Sequence, residues 1–87
     1  MELDPTVMTS VINRIKRAQG QLAGVLRLLE EGRDCEDVVT QLAAVSKALD
    51  RAGFAIVASG LQQCLAEGDG VDSVDVKKME KLFLSLA

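Results

Sequence analysis

The chain has 87 residues, a formal net charge of −3, 48% hydrophobic residues, two Cys, two Phe, and no His, Trp or Tyr. Without His there is no Ser-His-Asp triad, Cys-His dyad or His-ligated metal. Two Cys outside a CxxC motif cannot close a four-ligand zinc site in one subunit, and two Phe make no stacking platform for single-stranded nucleic acid.

One domain is the limit at this length, and so much apolar side chain on so small a body points to oligomerisation. No apolar run reaches the ~18 residues of a membrane span. The acidic start, Met1-Glu2-Leu3-Asp4-Pro5, lacks a signal-peptide core. A cytoplasmic protein with no membrane contact is expected. Thiols are normally reduced there, so the cysteines suggest reactivity or metal binding rather than a structural bridge.

Helix 1 is predicted over about 5–31, with Asp4 as its cap, Pro5 at its first position and Gly32 as its stop. Met8, Val11, Ile15, Ala18, Leu22, Val25 and Leu29 fall at alternating spacings of three and four, a coiled-coil-like seam. From Val11 to Leu29 there is no acid and there are four bases, Arg14, Lys16, Arg17 and Arg27. Such a stripe is either a solvated helix face or a local polyanion site on an acidic chain.

Helix 2 is predicted over about 35–67, capped by Asp34 and stopped by Gly68. Val38, Leu42, Val45, Leu49, Ala52 and Ile56 form one seam; Phe54, Val57, Leu61 and Leu65 form another on a different face. A helix apolar on several faces needs neighbours on several sides. Glu67-Gly68-Asp69-Gly70 reads as a turn. Helix 3 is predicted over about 73–86, starting near Asp72 or Ser73, with an apolar stripe of Val76, Met79, Leu82, Phe83 and Leu86. The fold expected is all-α, three helices per subunit, pairing into an antiparallel four-helix-bundle dimer or a dimer of dimers.

Cys35 and Cys64 lie at opposite ends of helix 2, 29 residues apart, or ~43 Å along an unbroken helix. A disulfide needs Cα atoms within about 7 Å, so the two cannot meet within one chain. At ~100° per residue they nonetheless share nearly one stripe. A second, antiparallel copy of helix 2, with residue i facing roughly 99−i, would bring Cys35 to the partner's Cys64. It would also set Leu42 against Val57, Val45 against Phe54 and Ser46 against Gly53. Cys35, in the first helical turn, is expected to be the more reactive thiol. The plainer reading of each cysteine is a small hydrophobe inside a helix.

Ile12-Asn13-Arg14-Ile15-Lys16-Arg17-Ala18-Gln19-Gly20-Gln21-Leu22-Ala23-Gly24-Val25 resembles the first-helix signature of the CsoR/RcnR family of bacterial repressors. The segment Cys35-Glu36-Asp37-Val38-Val39-Thr40-Gln41-Leu42-Ala43-Ala44-Val45 resembles the start of its second helix. The resemblance runs from about Val11 to Leu86. It implies a disc-shaped homotetramer that binds operator double-stranded DNA, with Arg14 and Arg51 at the family's DNA-binding positions. Lys16, Arg17 and Lys47 are candidate further phosphate contacts. Glu80 matches an acidic residue that couples sensing to DNA release in copper sensors.

The copper-sensing branch uses a Cys, a His and a Cys, and these positions fall here on Cys35, Gly60 and Cys64. With the His missing, nickel and cobalt sensing is excluded. The two-Cys, no-His pattern is similar to the CstR branch, which senses persulfide: sulfane sulfur donors react with one cysteine, and the partner subunit's cysteine closes a di- or polysulfide bridge that releases DNA. The formaldehyde-sensing branch fits poorly because Pro5 is internal. The expectation is therefore a persulfide-sensing repressor without cofactor, acting through Cys35 and Cys64. The alternatives are a Cu(I) sensor using the same two thiolates and a helical assembly module that does not bind DNA. No nucleophile is paired with a base, so no enzymatic activity is expected.

Overall fold

The computed structural model describes residues 2–68, 70 and 73–87. Asp69 of the expected turn and Asp72, an alternative start for helix 3, lie outside the described residues. Among the described residues three helices follow in order, α1 (Thr9–Glu30), α2 (Cys35–Ala66) and α3 (Val74–Leu86). The fold is all-α.

The first helix starts later than Asp4-Pro5 predicts. Residues 5–8 form a turn, and the α-helix proper begins at Thr9. Asp4 therefore does not cap α1, whose cap position is Met8, but closes the preceding turn: its Oδ1 accepts from the Thr6 backbone N–H (2.9 Å) and the Thr6 hydroxyl (2.7 Å), and its carbonyl accepts from the Val7 and Met8 N–H groups. The two Thr6 bonds hold the Asp4 carboxyl below its ordinary pKa. The same bonds offer the backbone a local alternative to helix, and the β-branched pair Thr6-Val7 does little to oppose it.

Gly32, at φ 67°, ends α1. Its N–H donates to Leu29 O and the Arg33 N–H reaches back to Leu28 O, a Schellman closure that only a residue free at positive φ enters without strain. Gly68, at φ 88°, ends α2 similarly. Asp34 occupies the cap position of α2, but its side chain makes no capping hydrogen bond; Ser73 does cap α3, accepting from the Val76 N–H at 3.2 Å.

α1 and α2 form an antiparallel hairpin whose seams are each buried on one half only. Val11, Ala18 and Val25 on α1, and Val38, Val45 and Ala52 on α2, are buried. The alternating members Ile15, Leu22 and Leu29 on α1, and Leu42 and Leu49 on α2, are exposed. Each seam thus buries one heptad position against its own hairpin partner and leaves the other uncovered. Val25, Val38 and Val45 form the hairpin core, with Leu28 packed on it. Gly24 permits the close approach, since a Cβ there would come within 2.5 Å of Gln41 Nε2.

α3 folds back on the second half of α2. Phe83 meets Phe54 with ring centroids 5.3 Å apart, and the Leu86 side chain lies against Gly53. These contacts correct part of the helix-pairing arithmetic. Val45 faces its own hairpin core, and Gly53 and Phe54 are engaged by α3, so the proposed pairs Val45–Phe54 and Ser46–Gly53 do not have bare helix faces available. α2 is not a bare rod in the folded chain, because α1 and α3 already occupy part of its surface.

Candidate nucleic-acid interface and sensor thiols

The polar flank of the α1–α2 hairpin carries a concavity of about 430 Å³ lined by Arg14, Arg17, Ala18, Gln21, Ala48 and Arg51. Arg14, Arg17 and Gln21 recur at helical spacing beside the buried Val11-Ala18-Val25 stripe, and Arg51 adjoins buried Ala52 on the facing helix. Packing of the two valine stripes therefore turns three guanidinium groups toward one hollow. The small side chains of Ala18 and Ala48 leave its floor open. Among the described residues, ion pairs form only at Arg33, with Glu31 and Asp37, each at 3.9 Å. Arg14, Arg17 and Arg51 form none, so their charges are uncompensated locally.

Lys16 and Lys47 do not line this hollow. Lys16 lies ~200° around α1 from Arg14 and points away from α2. Lys47, one turn before Arg51, sits toward the outer edge of the same flank. Arg27 lies in the last turn of α1, where a cation complements the helix dipole.

A second concavity of about 540 Å³ continues along the hairpin, lined in part by Gln21, Arg33, Glu36, Asp37 and Gln41. The groove thus changes sign along its length, from three unpaired arginines to a carboxylate-bearing end. Gln21 borders both parts, and Gln41 Nε2 donates to the Gln21 carbonyl at 3.4 Å. Gln21 and Ala48 were not singled out from the sequence. For Gln21 the signal was present: it lies four residues after Arg17 and seven after Arg14.

The thiols differ sharply in environment. Cys35 opens α2 and is exposed, on the same side of the helix as the uncovered Leu42. Cys64, in the last turn, is 0% exposed, and Gly60, one turn before it, is also buried. Neighbouring Gln63 ties this end of α2 to the N-terminal segment, its Nε2 donating to the Glu2 carbonyl at 2.6 Å. α2 runs unbroken between the cysteines, so any site containing both needs a second chain. Among the described residues no group of three or more His, Cys, Asp or Glu is placed to hold a metal ion. The available donors are two soft thiols at opposite ends of a helix, a set that fits two-coordinate Cu(I) only across subunits.

Glu80 is exposed on α3. It lines an otherwise apolar groove of about 770 Å³ between α2 and α3, with Phe54, Leu61, Leu65, Met79 and Phe83 among its neighbours. No helix among the described residues is long and apolar enough to cross a membrane.

The sequence also matches known proteins. A family model described as metal-sensitive transcriptional repressor matches residues 8–85. The copper-sensing transcriptional repressor CsoR of Mycobacterium ulcerans (strain Agy99) is 36% identical over 70 residues, which cover 76% of this chain and 60% of that protein. The copper-sensing transcriptional repressor RicR of Mycobacterium tuberculosis (strain ATCC 25618 / H37Rv) is 35% identical over 69 residues, 77% of this chain and 72% of its own length. CsoR of Bacillus subtilis (strain 168) is 29% identical over 68 residues, 74% of this chain and 67% of its own length. The chain thus spans about 60% of the length of the Mycobacterium ulcerans relative. These are repressors and not enzymes, and the chain belongs to the metal-sensitive transcriptional repressor family, the CsoR/RcnR family that its first two helices resemble.

Proposed function

We propose that this chain is a cytoplasmic repressor that grips operator double-stranded DNA with Arg14, Arg17 and Arg51 and releases it when Cu(I) bridges Cys35 and the partner subunit's Cys64. The observation that carries the DNA reading is the convergence of three unpaired guanidinium groups on one hollow. Guanidinium forks suit phosphate oxygens, and phosphate contacts supply most of the affinity for a duplex. Lys47 adds a peripheral phosphate contact. Lys16, on the outer side of α1, contributes at most to the long-range field.

Copper is favoured as the signal because the relatives are copper sensors by name and because two thiolates hold Cu(I) linearly. The exposed halves of the α1 and α2 seams provide the surface for the second subunit, and a dimer of dimers completes a homotetramer. Glu80, at the rim of the α2–α3 groove, is the candidate for coupling metal binding to helix packing.

One observation favours a second signal: the sequence has no His, and Gly60 offers no third ligand beside Cys64. In that reading a sulfane sulfur donor transfers one sulfur atom to the Cys35 thiolate and leaves as its own thiol. The partner's Cys64 thiolate then attacks the inner sulfur of the persulfide and expels hydrosulfide. The product is an inter-subunit disulfide, the protein thiols being oxidised and the sulfane sulfur reduced to sulfide.

Anaerobic titration separates the two. On the copper reading the reduced protein binds one Cu(I) per chain tightly and loses ~100-fold in DNA affinity, a coupling of about 3 kcal/mol; Cys35→Ala and Cys64→Ala each abolish the response. Weak Cu(I) binding without DNA release, together with polysulfide-induced chain linkage that releases DNA, would establish the sulfur reading instead. Arg14→Ala and Arg51→Ala each weaken DNA binding, and an unchanged affinity in both would remove the DNA reading.

A further inference from the structure

We propose that Gln21 is a further DNA contact, the uncharged end of the arginine track, its carboxamide donating to a phosphate oxygen of the duplex held by Arg14, Arg17 and Arg51. The inference rests on the DNA reading above and adds to it a residue and a boundary. Gln21 lines the arginine hollow and also the next one along the groove. It follows Arg14 and Arg17 on one flank of α1, two turns and one turn further on, so a backbone passing the two arginines reaches it next.

Its side chain is available. Gln21 is exposed, and its amide makes no hydrogen bond among the described residues. The groove's other amide, Gln41, is spent on the Gln21 carbonyl and packed over Gly24. Beyond Gln21 the groove carries Glu36 and Asp37, and the cation there, Arg33, is paired with Asp37 at 3.9 Å. A phosphate track cannot continue into that end without like-charge repulsion. Gln21 therefore stands where the track stops, and a neutral donor serves there without drawing the carboxylates into an ion pair.

A neutral contact has a signature that a cation lacks. Counterion release follows charge, so losing an arginine contact flattens the dependence of affinity on salt, while losing an amide contact does not. The test is fluorescence anisotropy of the reduced full chain on a mixed-sequence duplex at several salt concentrations, with sedimentation to compare assembly. Gln21→Ala and Gln21→Leu, the latter keeping the bulk without the donor, should each bind about 5- to 20-fold more weakly at every salt. Their salt slope should match that of the unmodified chain, whereas Arg14→Ala flattens the slope by about 1 for each subunit whose Arg14 meets a phosphate. Binding within about 2-fold of the unmodified chain in both Gln21 variants, a changed slope, or a changed oligomeric state would overturn the proposal. If Arg14→Ala and Arg51→Ala also leave binding intact, the DNA reading itself falls.

Discussion

At the scale of the residue, what distinguishes like side chains in this protein is which way the hairpin turns them. Arg14 and Lys16 are both cations of α1, two positions apart; one enters the hollow between the helices and the other points away from α2. The two thiols form a similar contrast, one exposed at the head of α2 and the other sealed near its tail. Thiol reactivity requires access. Iodoacetamide should therefore label Cys35 at least ~10-fold faster than Cys64 in the native protein, with the difference vanishing in denaturant, as read by mass spectrometry of peptides. Faster labelling of Cys64 would mean that it is not packed in the interior in solution. A Cu(I) or sulfur signal that joins the two must reach a sealed thiol, so the buried end of α2 has to open or be approached from the partner.

At the scale of the element, the helices are bounded by glycines whose roles differ in kind. Gly20 lies inside α1 with nothing within 4 Å of where a Cβ would stand. Gly20→Ala should stabilise the fold by about 0.5–1 kcal/mol, by removing unfolded-state entropy and raising helix propensity. Gly32 also has open space around it but sits at φ 67°. Gly32→Ala should destabilise by about 1 kcal/mol, because an L side chain strains in that region and the Schellman closure weakens. Urea unfolding of both variants checks the pair, and the same sign for both would show that local backbone geometry does not control the α1–α2 junction. Helix existence and these stops were legible in the sequence, since apolar spacing and glycine punctuation are local properties. The helix start at Thr9 was not, because a proline after an aspartate also closes a turn, and the Asp4–Thr6 bonds decided for the turn.

At the scale of the whole molecule, the single chain is a slab of 53 × 25 × 13 Å with a radius of gyration of 16.6 Å. A globular chain of this length is expected near ~12 Å. Its accessible surface, 6316 Å², exceeds the ~5,000 Å² expected of a compact monomer of this mass. The excess is of the order of one subunit's share of a stable interface, ~800 Å², and large hydrophobics such as Leu22, Leu29, Leu42 and Leu49 stand exposed on the uncovered seam. Leu22→Glu and Leu42→Glu should each shift the protein toward monomer in sedimentation equilibrium and abolish any response that needs Cys35 and the partner's Cys64 together. Retention of the full assembly by both variants would place the subunit contact elsewhere, with the α2–α3 groove the next surface to test.

The seam periodicity, the glycine stops and the placement of two cysteines at opposite ends of one long helix follow from the order of residues, because 3.6 residues per turn is a property of the backbone alone. That order also excluded His-based chemistry outright and carried the family signature. Which half of each seam is buried, which cations share a hollow, where the groove changes sign and which thiol is sealed depend on how two helices rotate against each other. That rotation is set by side chains far apart in the chain, Val25 against Val38 and Val45, and Gln41 over Gly24. Helical spacing specifies a stripe, but it takes a packed neighbour to decide which side of that stripe faces solvent.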